Sequence, residues 1–146
     1  MTPPLRAAVE LLDAENYTFV LQTPTALYCS RLRGVAPLMN LLEAGKDLSG
    51  GVLADRAAGK ALAMLVKKAG LKEVYFRMLS APAQQFLEEN GIPYLYETLV
   101  PTILNRKGDG PCPFEAAVLA FEDAEAGYDR IRRLSMQMGL LDAGIL

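Results

Sequence analysis

The residues Cys112-Pro113-Phe114-Glu115 set a thiol three positions ahead of a carboxyl, where the loop NRKGDGP gives way to the apolar run AAVLA. A thiol at the first turn of a helix faces unpaired backbone amides, which favour its anionic form, so Cys112 is a candidate nucleophile with Glu115, Asp55 or Lys60 as proton acceptor. The plainer reading of the same residues is structural. Cys112 is a small residue at an N-cap, and Glu115 bonds back to the cap in a loose capping box. A second group is Asp55-Arg56-Ala57-Ala58-Gly59-Lys60, after the apolar run VLA. Asp55 is an N-cap by type, or a hydrogen-bonding group for a ligand at a strand's carboxyl end, where open α/β sheets place their sites. Lys60 is a cation for an anionic group, or one of a solvated stripe with Arg56 and Lys67. Asn105, Arg106 and Lys107 precede the Cys112 helix, whose free amides complement a phosphate or carboxylate; the alternative is an exposed polar turn.

Taken together, Asp55, Lys60, Asn105, Arg106, Cys112 and Glu115 are the expected lining of one pocket between two helix starts, taking a small anionic ligand such as a nucleotide. An enzyme working through Cys112 is the first alternative. The second is a partner-binding or self-associating module, using the C-terminal helix and the edge of a hairpin at 17–30.

The chain contains no histidine. That removes the commonest general base and a ligand found in most catalytic zinc sites. A cysteine with carboxylates alone is a poor zinc set, and no metal or other cofactor is expected. The segment AAGKA fails as a phosphate loop, because Ala54 and Ala61 stand where glycine and a hydroxyl residue are required.

These groups need elements to hold them. Pro3 and Pro4 before Leu5, Ala8, Val9 and Leu12 predict an amphipathic helix with prolines in its first turn. YTFVLQTPTALYCS, residues 17–30, predicts two short antiparallel strands about a Thr23-Pro24-Thr25 turn. Pro37 opens a helix carrying Leu38, Leu41 and Leu42 to a stop at Gly45. GGVLAD predicts a buried strand ended by Asp55 as N-cap. A helix follows from Arg56 to Ala69 with Ala58, Leu62, Leu65 and Ala69 inward, Gly59 in its middle and Gly70 as terminator. A glycine inside a helix costs about 1 kcal/mol against alanine, so Gly59 there asks for close packing or ligand approach. Glu73–Met78 is a strand, Ser80 caps a helix with Pro82 in its first turn, and Pro93–Tyr96 is a short strand. Residues 100–111 are loop. The Cys112-Pro113 step opens a helix presenting Phe114, Ala117, Val118 and Phe121, and a last helix from Tyr128 to Met138 carries Ile131 and Leu134. Met136, Met138, Leu140 and Leu141 suit a docking surface or core. This order predicts an α/β domain, a three-layer α/β/α sandwich with a mixed sheet.

With 146 residues, 51% of them hydrophobic, the chain has material for one self-sufficient core, and one domain over 1–146 is expected. The net charge of −2 offers no global attraction to nucleic acid or anionic lipid, and the longest apolar run, Ala61–Val66, is too short for a bilayer. The start lacks a basic leader, and two cysteines without an export signal point to the cytoplasm and to no structural disulfide.

Three segments, RGVAPLMNLLE (33–43), VLADRAAGKALAML (52–65) and LVPTILNRKGDGPCPFEAAV (99–118), together resemble a small prokaryotic family of unassigned function within the cytidine-deaminase-like fold. The resemblance covers residues 15–124 and leaves 125–146 as a C-terminal helical extension. It implies the deaminase-like sandwich, a fold shared by zinc-dependent nucleobase deaminases, zinc peptidases of the JAB type and a formate dehydrogenase accessory protein. A zinc deaminase carries H-x-E and P-C-x-x-C. Here Pro111-Cys112-Pro113-Phe114-Glu115 follows the second pattern until Glu115 replaces its last thiolate, and the first pattern is missing its histidine. The resemblance therefore implies the fold, and neither a zinc ligand nor a deaminase acid/base is carried over.

Overall fold

A computed structural model describes residues 1–139. The elements run α1 (Pro3–Ala14), β1 (Phe19–Gln22), β2 (Leu27–Ser30), α2 (Ala36–Glu43), β3 (Val52–Ala58), α3 (Lys60–Ala69), β4 (Glu73–Ser80), α4 (Ala81–Glu89), β5 (Tyr94–Val100), α5 (Pro113–Val118) and α6 (Ala124–Gln137). The strands form one sheet in the order β2-β1-β3-β4-β5. β1 is antiparallel to both β2 and β3, while β3, β4 and β5 are parallel. The sheet is mixed, as the sequence predicts.

Alternation along the strands divides the apolar residues between two faces. Val20, Val52, Ala54 and Tyr75 meet Leu5, Ala8 and Leu12 of α1 on one side. Phe19, Leu21, Leu53, Val74 and Phe76 face the larger core on the other, which α2 to α6 close. α1 starts as its sequence dictates: Thr2 caps the Leu5 amide, with prolines in the first turn. Its hydroxyl also donates to Glu73 Oε1 at 2.7 Å, tying the helix start to β4.

Helix α3 lies between sheet and outer helices, with Ala61, Leu62, Ala63, Met64, Leu65, Val66 and Ala69 all buried. A helix covered nearly all round must be small on some faces, which accounts for its alanines. Its contact with α6 is close enough that a Cβ on Gly127 would overlap Met64 Sδ and lie 3.0 Å from Met64 Cε.

Several boundaries differ from those the local sequence predicts. β3 does not stop at Asp55; it continues through Arg56 and Ala57 to Ala58, in register with Met78 and Leu79 of β4. Asp55 is therefore a mid-strand residue and no N-cap. The N-cap of α3 is Gly59, which lies outside the helix interior, and the helix begins at Lys60. Alanine favours helix by only tenths of a kcal/mol per residue, and the pairing with β4 outweighs it. Arg56 leaves the supposed stripe with Lys60 and Lys67. It points to the α1 side, where Nε donates to Tyr17 O at 2.7 Å and Nη2 to Leu12 O at 3.1 Å, a carbonyl in the last turn of α1 that also accepts from the Tyr17 amide. β5 runs past Tyr96 to Val100, paired along its length with β4. α5 ends at Val118, leaving Phe121 in the following turn. α6 starts four residues before Tyr128, where Asp123 caps the Ala126 amide at 3.0 Å. Of the C-terminal apolar residues, Met136 and Met138 are exposed, and Leu140 and Leu141 lie outside the described residues.

Candidate functional site

The parallel strands β3 and β4 deliver the starts of α3 and α4 side by side, because Lys60 and Ala81 follow their carboxyl ends almost directly. From these starts a cleft of about 340 Å³ runs along α4 to its C-cap, lined by Lys60, Pro82, Gln85, Phe86, Asn90 and Leu119, with Glu89 and Glu122 also at its wall. Lys60 Nζ donates to Leu119 O at 2.8 Å, and no carboxylate pairs with it among the described residues.

Behind the cleft sits the most unusual contact in the domain. Gly59 offers no side-chain cap to α3, and the missing acceptor comes from α5: the Lys60 amide donates to Glu115 Oε1. Glu115 is only 3% exposed, and its Oε2 is buried with no hydrogen-bond partner among the described residues. Burial raises its pKa, against the opposing pull of the Lys60 and Ala61 amides and the Lys60 charge. The approach demands glycine. A Cβ on Gly59 would overlap Glu115 Oε1 and Cδ and lie 2.8 Å from its Cγ. Gly59 has φ −100° and ψ −178°, extended backbone open to any residue, so it is this carboxyl that excludes a side chain.

Among the described residues, the remaining expected site residues make no side-chain hydrogen bond to Lys60 or Glu115. Cys112 is the N-cap of α5, as its position suggests, but makes no side-chain cap bond and is half-buried against the main core. Asn105 and Arg106 lie in a turn that folds on itself, with Asn105 Nδ2 donating to Asp109 Oδ1 at 2.8 Å and Arg106 exposed. Asp55 is 6% exposed and in register between Phe19 and Phe76, so its carboxyl enters the main core. That burial pushes its pKa up to about 8, with the Ala57 and Arg56 amides and the Arg56 charge opposing. Of the six, the structure joins Lys60 and Glu115. The cleft residues Gln85, Glu89, Asn90 and Glu122 carry no local motif. The only sequence signal for the Glu115 contact is Gly59, a glycine where alanine would serve a helix better.

The zinc of the deaminase-like enzymes finds no matching ligand set. Among the described residues no three cysteine or acidic side chains converge as a metal requires, and Glu115 Oε1 is already taken by the α3 amide. The residues present do not fit that metal. No helix of the described residues is long and apolar enough to cross a membrane.

The sheet order and the carboxyl-plugged helix start define a mixed-sheet α/β domain built around an internal Glu–Gly contact. The family model described as TM1506, domain of unknown function (DUF1893), matches residues 7–134, and the chain belongs to that family. A crystal structure of a DUF1893 family protein from Thermotoga maritima is similar with TM-score 0.84 at 24% identity, over 91% of this chain and 90% of that one. The apo dCMP deaminase of the cyanophage S-TIM5 gives 0.49 at 13% identity, over 66% of this chain and 99% of its own. A Thermotoga maritima diaminohydroxyphosphoribosylaminopyrimidine deaminase/5-amino-6-(5-phosphoribosylamino)uracil reductase gives 0.42 at 15%, over 80% and 40%. No curated protein matches the chain.

Proposed function

We propose that this chain is a small-ligand-binding protein, metal-free at this site, whose cleft in front of α3 and α4 takes a weakly anionic molecule of nucleoside monophosphate size. The observation that carries this reading is Lys60, whose ammonium holds one carbonyl and faces the cleft without a carboxylate partner among the described residues. A Lys ammonium has three donors, so two remain for a phosphate or carboxylate. The side chains of Gln85 and Asn90 add neutral hydrogen-bonding groups, and Phe86 a flat apolar wall. Glu89 and Glu122 limit the charge the cleft tolerates, favouring one phosphate over a chain of two or three. One end of the cleft, at Lys60 and Pro82, adjoins the helix starts that follow the carboxyl ends of β3 and β4, the region where open α/β sheets bind ligands.

The test is calorimetric titration of the folded protein with nucleoside 5′-monophosphates, with inorganic phosphate as a smaller probe. Saturable binding that weakens at least tenfold in Lys60→Met is expected. Absence of heat from every one of these probes, or equal affinity in Lys60→Met, overturns the reading.

A further inference from the structure

We propose a second binding site, on the opposite side of α4, that takes a small planar organic cation bearing an amidinium or guanidinium group. A groove of about 490 Å³ runs between the C-terminal half of α4 and the edge strand β5. Leu87 and Ile92, both buried, form its apolar floor, and Gln84 and Glu88 stand on the helix wall. The opposite wall is aromatic. Tyr94 and Tyr96 are two apart on β5 and so project from the same face, with ring centroids 6.1 Å apart and planes 17° from parallel. Tyr96 is 41% exposed, although a tyrosine on a sheet face ordinarily packs under a neighbour.

Charge selects the occupant. Among the described residues the groove's lining holds one acid, Glu88, and no base. Glu88 Oε1 accepts from Tyr94 OH at 2.6 Å, which holds the carboxylate beside the rings, and among the described residues its second oxygen has no hydrogen-bond donor. Tyrosine faces are electron-rich and attract cations, most of all flat ones that stack while their edge N–H groups reach a carboxylate. An amidinium on a small ring satisfies both walls at once. An anion meets only repulsion from Glu88, and a neutral amide of the same shape loses the charge-assisted bond.

The chain has no tryptophan, so its emission comes from six tyrosines, of which Tyr94 and Tyr96 line the groove. Titration of the full chain with benzamidinium is expected to give a saturable change, with the isosteric neutral benzamide at least tenfold weaker and benzoate inactive. Glu88→Gln is expected to weaken benzamidinium at least fivefold, and Tyr96→Leu, which keeps bulk but removes the π-face, at least tenfold. An excess of a nucleoside monophosphate is expected to leave the titration unchanged, which keeps this site separate from the Lys60 cleft. Equal binding of benzamide and benzamidinium, indifference to Glu88→Gln or Tyr96→Leu in folded variants, or competition by the nucleotide each overturns the proposal.

Discussion

Substituting Gly59 by alanine tests the Glu115 contact, because the backbone at that position admits a side chain and the three nearest heavy atoms a Cβ would meet all belong to Glu115. In a chain without that contact, Gly→Ala at extended φ stabilises by about 0.4–1 kcal/mol through the unfolded state. Here the new methyl overlaps Glu115 Oε1 and Cδ, and no small shift of α5 relieves it, since Phe114 and Val118 anchor that helix in the core. The carboxyl must swing off α3. The cost is then the lost cap, about 0.5–2 kcal/mol, and a buried carboxyl stripped of its donor, about 1–3 kcal/mol. A net loss of about 2–4 kcal/mol is expected, which lowers the urea midpoint by about 1–2 M at the slopes usual for small domains. Glu115→Ala alone loses the same cap but also removes a desolvated carboxyl, so its cost is expected to be smaller, about 1–2 kcal/mol. The decisive measurement is the double variant, followed by circular dichroism in urea at neutral pH. With Glu115 already alanine, the N-cap preference for glycine over alanine opposes the unfolded-state gain, so Gly59→Ala is expected to be near neutral, giving a coupling of about 2 kcal/mol. If Gly59→Ala costs the same in both backgrounds, the glycine is not there for the carboxyl and the account of this site fails.

Asp55 supplies a prediction about pH. Its folded pKa of about 8 lies above the ordinary carboxylate value near 4, so the folded state holds the proton that the unfolded state has released. The stability this contributes is complete below about pH 4 and is lost as pH rises toward 8, by up to about 1.4 kcal/mol per pH unit. Asp55→Asn, which cannot ionise, is expected to flatten that decline in denaturation curves taken from pH 5 to 9; a slope unchanged from the parent sinks the assignment. Gly127→Ala is a test of sign: helix propensity alone predicts a gain of about 1 kcal/mol, while overlap with Met64 predicts a cost of about 1–3 kcal/mol. A net drop in melting temperature is expected, and a rise would show that α3 and α6 are not as close as described.

The layers were readable because the apolar periods are clean. Pro3, Pro4, Leu5, Ala8 and Leu12 announce α1, and Ser80 with Pro82 announces α4, whose cap forms at 3.2 Å to the Ala83 amide. The boundary at 55–60 was not readable, since Arg-Ala-Ala-Gly-Lys-Ala has helical composition and its strand geometry comes from β4, a partner the local sequence cannot show. Gly127 hid the true start of α6 for a related reason: it weakens the local helix signal in order to let Met64 approach. In the candidate site, the Cys-x-x-Glu spacing was visible, but its partner, the Lys60 amide, lies 55 residues upstream. Asp55, Asn105 and Arg106 had the residue types of a site without its geometry, because polar groups near helix starts look alike whether they bind a ligand, the core or one another.

For the proposed anionic ligand, Glu115 also limits where it could sit. The start of a helix after a parallel strand is a natural anion seat, and in this chain the seat of α3 is filled by the protein's own carboxyl. An incoming phosphate that aimed for those amides would have to expel Glu115, at the same cost of about 2–4 kcal/mol that alanine at Gly59 incurs, or about 30- to 1000-fold in affinity. Gly59 makes the filled state better still, because the carboxyl reaches the amides without any side chain in its path. What remains open to an anion from solvent is the next cation outward, the Lys60 ammonium at the cleft wall, which sits beside the plugged amides without sharing them. On the proposed reading, the Glu115 carboxyl closes the amides of the α3 start to an anion and leaves the Lys60 ammonium as the group that would receive it.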